Sequence, residues 1–172
     1  MTDKELIGQL RTVPDYPIKG ILFWDVTTLL KNPESFGEVV TRICNIYKDK
    51  GITKVAGIES RGFIAGAAVA DRLGAGFVPV RKPGKLPAET VSQSYHKEYG
   101  RDTIEMHSDA ITSDDVVLIH DDILATGGTA LAAVELVKKF HPKKIYVNFL
   151  ITLKEFDMLD KITEETTSLL VL

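Results

Sequence analysis

The sequence predicts an α/β fold, with a central, mainly parallel sheet flanked by helices. Three observations lead there. Short apolar runs alternate along the chain with segments of helical spacing, the pattern of strand–helix–strand crossovers. One run, Val116–Ile119, is apolar at every position, as a strand covered on both faces requires. That same run leads through a Gly-Gly turn into a helical segment. In such sheets ligands bind at the carboxyl ends of the strands, which is where chemistry is to be sought.

The elements follow in order. Over 34–50, Phe36, Val39, Val40, Ile43, Ile46 and Tyr47 repeat at the spacing of one helical face. Pro33 suits the first turn of that helix and Gly51 its end. Lys54–Glu59 is a short buried strand, and 62–73, rich in Gly and Ala, is a helix able to lie close on a sheet. Gly76–Val80 is a further strand. Residues 83–101 hold two prolines, two glycines and many polar groups, and are expected to form a long loop. Thr103–His107 alternates, as an exposed strand does. A helix is expected from Thr129 to Phe140, then a strand over Ile145–Ile151 and one more over Ser168–Leu172.

Totals set the bounds. The chain has 172 residues, enough for one domain with a full core. Apolar residues make up 44% and charged residues 26%, ordinary globular values. A net charge of -3 gives no overall attraction to nucleic acid or acidic membrane, so any anion site must be local. No apolar run approaches the ~20 residues of a spanning helix. The start, Met1 to Glu5, is polar and carries no apolar signal core. Cys44 is the only cysteine, which excludes an intramolecular disulfide and suits a small core residue. A cytoplasmic location is expected.

His120-Asp-Asp-Ile-Leu-Ala-Thr-Gly-Gly-Thr129 carries the most chemistry. It starts where the apolar strand stops and ends where a helix begins. Gly127 and Gly128 permit backbone angles that expose several amides at once. Those amides, with the positive end of the helix dipole, suit a phosphate dianion, and Thr126 and Thr129 add hydroxyl donors. Asp121 and Asp122 can accept hydrogen bonds from vicinal ribose hydroxyls. One segment thus has the groups to grip a 5-phosphoribosyl unit at its phosphate and its diol. A nucleotide-hydrolase P-loop is disfavoured: Gly57 and Gly62 have the glycine spacing, but Phe63 and Ile64 stand where Lys and Ser/Thr belong.

Asp121-Asp-Ile-Leu-Ala-Thr-Gly-Gly-Thr129 resembles the phosphoribosyl pyrophosphate motif of type I phosphoribosyltransferases, in the wording of the adenine-specific family. Gly57-Ile-Glu-Ser-Arg-Gly-Phe63, Val78–Pro87 and Glu98-Tyr-Gly100 agree with it, in order, and the similarity runs from about residue 6 to 152. The resemblance implies a single-domain type I phosphoribosyltransferase fold over 1–172. Residues 1–33 would supply an N-terminal helix and a small base-binding hood, and 83–101 a flexible catalytic loop. It implies transfer of the phosphoribosyl group from phosphoribosyl pyrophosphate to adenine, giving AMP and pyrophosphate.

The resemblance also implies roles. Asp121, Asp122, Ala125, Thr126, Gly127, Gly128 and Thr129 would bind the phosphoribosyl group. Glu59, Ser60, Arg61, Arg81, Lys82 and Lys85 would serve the departing pyrophosphate, whose developing charge calls for cations. Glu98, with Tyr99, would handle the proton on an imidazole-ring nitrogen of adenine, and Arg61 is placed with them among the catalytic residues. Ile21, Leu22 and Phe23 would form the base-binding hood. Three positions depart from the family's usual residues: Trp24 replaces an Arg, and Lys97 and His120 replace apolar residues. His120 is expected in the core, bonded to backbone. No His or Cys cluster offers a tight metal site, so Mg2+ is expected to be held mainly through phosphoribosyl pyrophosphate and water. A homodimer is expected, with no nucleic-acid or membrane partner. Two rivals stand beside this reading: the same chemistry on another base, and a phosphoribosyl-pyrophosphate-sensing regulator that binds nucleic acid.

Overall fold

A computed structural model of the chain describes residues 1–96 and 100–172. Among them, five parallel strands form the central sheet: β3 (Lys54–Ile58), β4 (Gly76–Val80), β7 (Val116–Leu124), β8 (Lys144–Thr152) and β9 (Glu165–Val171), in the order β4-β3-β7-β8-β9. Two small antiparallel pairs stand beside it: β1 (Arg11–Pro14) with β2 (Leu22–Asp25), and β5 (Thr90–His96) with β6 (Arg101–His107).

Helices cover both faces, and strand alternation sorts the side chains between them. On one face, Val55 and Leu118 pack with α3 (Pro33–Tyr47) and α4 (Gly62–Leu73) through Val39, Val40, Ile43 and Val69. On the other, Ala56, Val117 and Ile119 pack with α5 (Gly128–Lys138) through Ala133, Val134 and Val137. Local sequence starts and stops these helices. The Asn32 side chain accepts from the Glu34 and Ser35 amides ahead of Pro33, and Gly74, at φ 67°, ends α4 in the left-handed conformation. At the N-terminus, α1 (Asp3–Gly8) opens with a Thr2–Glu5 capping box. The short α2 (Thr27–Leu30) follows β2.

The structure corrects the sequence reading in four places. The tract 83–101 is not wholly a loop, because Thr90–His96 is a strand in register with Arg101–His107. Its polar residues hid it; Val91 and Tyr95 pack against the α5 side of the core. β6 is not an exposed strand either: Ile104, Glu105 and Met106 are buried where the pair folds onto that core. β7 runs on past Ile119 to Leu124, so Asp121 and Asp122 lie within the strand. Its neighbour β8 is long enough to keep pairing with it. Finally, β9 begins at Glu165, ahead of the apolar run that announced it.

Candidate active site

Strand order fixes where a ligand can enter. The chain leaves β3 through α4 to reach β4 on one side, and leaves β7 through α5 to reach β8 on the other. The two connections part at the carboxyl ends of β3 and β7, and the gap between them is a topological switch point. A cleft of about 410 Å³ opens there, lined by Glu59, Ser60 and Arg61 after β3, Asp121, Asp122 and Ile123 in β7, and Lys82 beyond β4. The Glu59–Ser60 peptide bond is cis. Gly62 lets the start of α4 lie against β7: a Cβ there would sit 2.8 Å from the His120 carbonyl oxygen.

The Gly-rich turn forms the next wall. Gly127 adopts φ 80° as the residue preceding α5, and no side chain caps that helix. The first amides of α5 are therefore not taken up by a capping side chain. They border a cavity of about 120 Å³ shared with Asp121, Ala125, Thr126 and Thr129. The Thr129 hydroxyl lies 2.8 Å from the Tyr95 hydroxyl of β5.

Charges in the cleft are paired and partly desolvated. The Arg61 Nε–H donates to Oδ2 of the buried Asp122. Burial alone would lower the Arg61 pKa, but Asp122, together with the charges of Asp121 and Asp25, outweighs it and the guanidinium is held more firmly charged. Burial first, and the charge of Asp122 second, push Asp121 well above the ordinary carboxylate range. Glu59 grips Arg81 in a fork, Nη2 to Oε1 at 3.0 Å and Nε to Oε2 at 3.3 Å, and also accepts from the Lys82 amide at 2.9 Å. The Arg81 guanidinium beside Glu59, then that amide, hold the Glu59 carboxyl below its usual range. Arg81 Nη1 donates to the Lys85 carbonyl, while the Lys82 and Lys85 side chains are exposed.

A larger, more apolar pocket of about 620 Å³ adjoins the cleft, and Arg61 and Ile123 line both. Ile21, Leu22, Phe23 and Trp24 form one wall, and Ala125 reaches it from the Gly-rich turn. Arg61 stands over the Phe23 ring, 5.6 Å from its centroid. Leu22 keeps 50% and Ile21 44% of its surface exposed, large apolar side chains left open toward a cavity.

The structure thus brings together the residues singled out at 21–23, 59–61, 82, 121–122 and 125–129. Arg81 belongs to the same edge but is turned onto Glu59. Glu98 and Tyr99 lie outside the described residues, as does Lys97. Sequence reasoning missed Leu153, Glu155 and Phe156, which close the pocket from the turn after β8, and Tyr95 beside Thr129. The strand-end rule applied to β8 would have pointed to the first three. His120 is buried, as expected, with Nδ1 2.9 Å from Asn148 Oδ1. Among the described residues, no group of three or more His, Cys, Asp or Glu side chains converges as a metal site, and no helix is long and apolar enough to cross a membrane.

This arrangement has known counterparts. The model of the phosphoribosyl transferase domain matches residues 25–161. An adenine phosphoribosyltransferase of Bacteroides fragilis is 63% identical over 157 residues, 91% of this chain and 88% of the relative. The crystal structure of adenine phosphoribosyltransferase from Rhodothermus marinus is 46% identical and superposes with a TM-score of 0.93 over 99% of this chain and 98% of its own. The Giardia lamblia enzyme, solved with 9-deazaadenine, is 40% identical with a TM-score of 0.93, over 100% of this chain and 98% of its own. The chain belongs to the phosphoribosyl transferase family, and within it to the adenine phosphoribosyltransferases.

Proposed function

We propose that the chain moves the 5-phosphoribosyl group of phosphoribosyl pyrophosphate onto adenine, releasing AMP and pyrophosphate, and that it acts as one phosphoribosyltransferase unit. One observation carries this reading: a helix-start turn suited to phosphate, a carboxylate pair and an apolar pocket meet at one switch point, with Arg61 between cleft and pocket. The names of its relatives support adenine as the base.

In this reading the 5-phosphate rests on the amides and hydroxyls of 126–129, and Asp121 and Asp122 accept from the ribose hydroxyls. Ser60 and Arg61, with the exposed Lys82 and Lys85, face the pyrophosphate, and Glu59 holds Arg81 alongside. Adenine lies in the pocket of Ile21, Leu22 and Phe23. Glu98, with Tyr99, takes the proton of an imidazole-ring nitrogen. A ring nitrogen then forms the bond to the anomeric carbon as the bond from that carbon to the pyrophosphate oxygen breaks, and the electron pair leaves with pyrophosphate. Asp122, a buried carboxylate of the cleft, is engaged by Arg61, which favours Mg2+ held through substrate oxygens over a protein cage. Bound in that way, Mg2+ would supply positive charge to the leaving group. A homodimer in the cytoplasm completes the proposal.

Purified protein given labelled adenine, phosphoribosyl pyrophosphate and Mg2+ is expected to form AMP, with hypoxanthine and xanthine much poorer. Turnover of neither adenine nor another base would refute the reading.

A further inference from the structure

Tyr95 stands outside the roles assigned so far, yet it touches the Gly-rich turn twice. Its ring lies against Gly128, where a Cβ would come within 3.2 Å of it. Its hydroxyl is 2.8 Å from Thr129 Oγ1 and 3.4 Å from Asp102 Oδ2, across the β5–β6 pair. Tyr95, Asp102 and Thr129 border a cavity of about 220 Å³ whose other wall includes Glu59, Arg81 and Lys82.

Proton counting limits what these hydroxyls can do together. Tyr95 and Thr129 each carry one O–H, and an ionised carboxylate only accepts. If Thr129 donates to Tyr95, the only proton of Thr129 points away from the turn. If Tyr95 donates to Thr129 instead, the Thr129 proton is released toward whatever fills the turn. A hydroxyl that accepts one hydrogen bond is also a stronger donor of the next. A dianion in the turn favours the second arrangement, because it needs the donor there.

We infer that Tyr95 is a positioning residue for the phosphate site: its hydroxyl donates to Thr129 when a phosphate occupies the turn, so that Thr129 donates to the phosphate. The inference rests on the proposed phosphate role of residues 126–129. Tyr95 acts through Thr129 and does not touch the phosphate itself. Removing its hydroxyl leaves the ring on Gly128, the apolar packing of Val91, and the hydrogen bond from Lys139 Nζ to the Ser92 carbonyl at 2.6 Å, so β5 stays docked on α5.

The test is AMP affinity by calorimetry in a double-mutant cycle. Tyr95→Phe is expected to weaken AMP binding about 3- to 10-fold, the size of one net hydrogen bond, with an unchanged melting midpoint. In a Thr129→Val background the same change is expected to have no further effect, and in a Thr129→Ser background to have its full effect. A ring or packing role would persist in all three backgrounds. Unchanged affinity in Tyr95→Phe, or a loss that adds in full on Thr129→Val, overturns the inference while AMP binding by the parent protein leaves the proposed function standing. If the parent protein binds no AMP, both fall.

Discussion

Gly62→Ala probes how closely the start of α4 must approach the strand that carries the aspartates. The added Cβ would lie 2.8 Å from the His120 carbonyl oxygen and 3.0 Å from Asp121 Oδ1. Close carbon–oxygen contacts settle near 3.3–3.6 Å, so helix and strand must separate by about half an ångström. β7 is paired on both sides, to β3 and β8, and cannot shift alone. The movement therefore falls on α4 and on Arg61 just before it. Overpacking of this kind costs about 1–3 kcal/mol, and for a chain of this size each kcal/mol lowers the melting midpoint by about 2–4 °C. The expected fall is thus about 2–12 °C. Because Arg61 faces the cleft, a half-ångström shift is expected to lower kcat/KM for phosphoribosyl pyrophosphate by about tenfold. Differential scanning fluorimetry and an AMP-formation assay read both quantities. A midpoint within about 1 °C of the parent, with activity also unchanged, would show that the approach is not tight and refute the reasoning.

Further expectations follow from the same geometry. Asp122→Asn removes both the partner of Arg61 and a charge that pushes Asp121 up. The Asp121 carboxyl is expected to titrate at lower pH in side-chain carbon NMR, without reaching the ordinary carboxylate value because burial remains; an unmoved titration would contradict this. Gly127→Ala forces a side chain to φ 80° and against Met158, at a backbone cost of about 1–2 kcal/mol, and should weaken AMP binding in calorimetry. Glu59→Gln is expected to change how stability depends on pH. The Glu59 carboxyl is depressed, so its contribution to stability is present above the ordinary value of 4.5 and is lost as pH falls through the lower, folded one. The melting difference between parent and variant should therefore be larger at neutral pH than below that value. Chelation of Mg2+ should stop turnover and leave the melting midpoint of the ligand-free protein unchanged, since an ion held by substrate does not stabilise the free chain.

Much of the frame was legible because its signals are local. Val116–Ile119 had to be a central strand, and Pro33 marks where a helix starts. Asp121, Asp122 and the glycines were conspicuous because carboxylates and consecutive glycines at a strand end have few other uses. What stayed hidden depends on tertiary contact. β5 is polar in sequence and becomes a strand only because β6 pairs with it and α5 receives Val91 and Tyr95. The engagement of Arg81 by Glu59 joins residues from two strand ends and has no local signature. Leu153, Glu155 and Phe156 drew no attention in the sequence, and only the position of β8 brings them into the pocket of Phe23 and Trp24. The pairing of His120 with Asn148, on the neighbouring strand, likewise has no local signature; burial there lowers the His120 pKa.

A crystal structure with AMP bound tests the central claim most directly. The phosphate is expected on the backbone amides of Thr126–Thr129, the ribose hydroxyls at the Asp121 and Asp122 carboxylates, and the base against Phe23. AMP bound elsewhere, or with its phosphate toward Lys82 and its ribose away from both carboxylates, would contradict it.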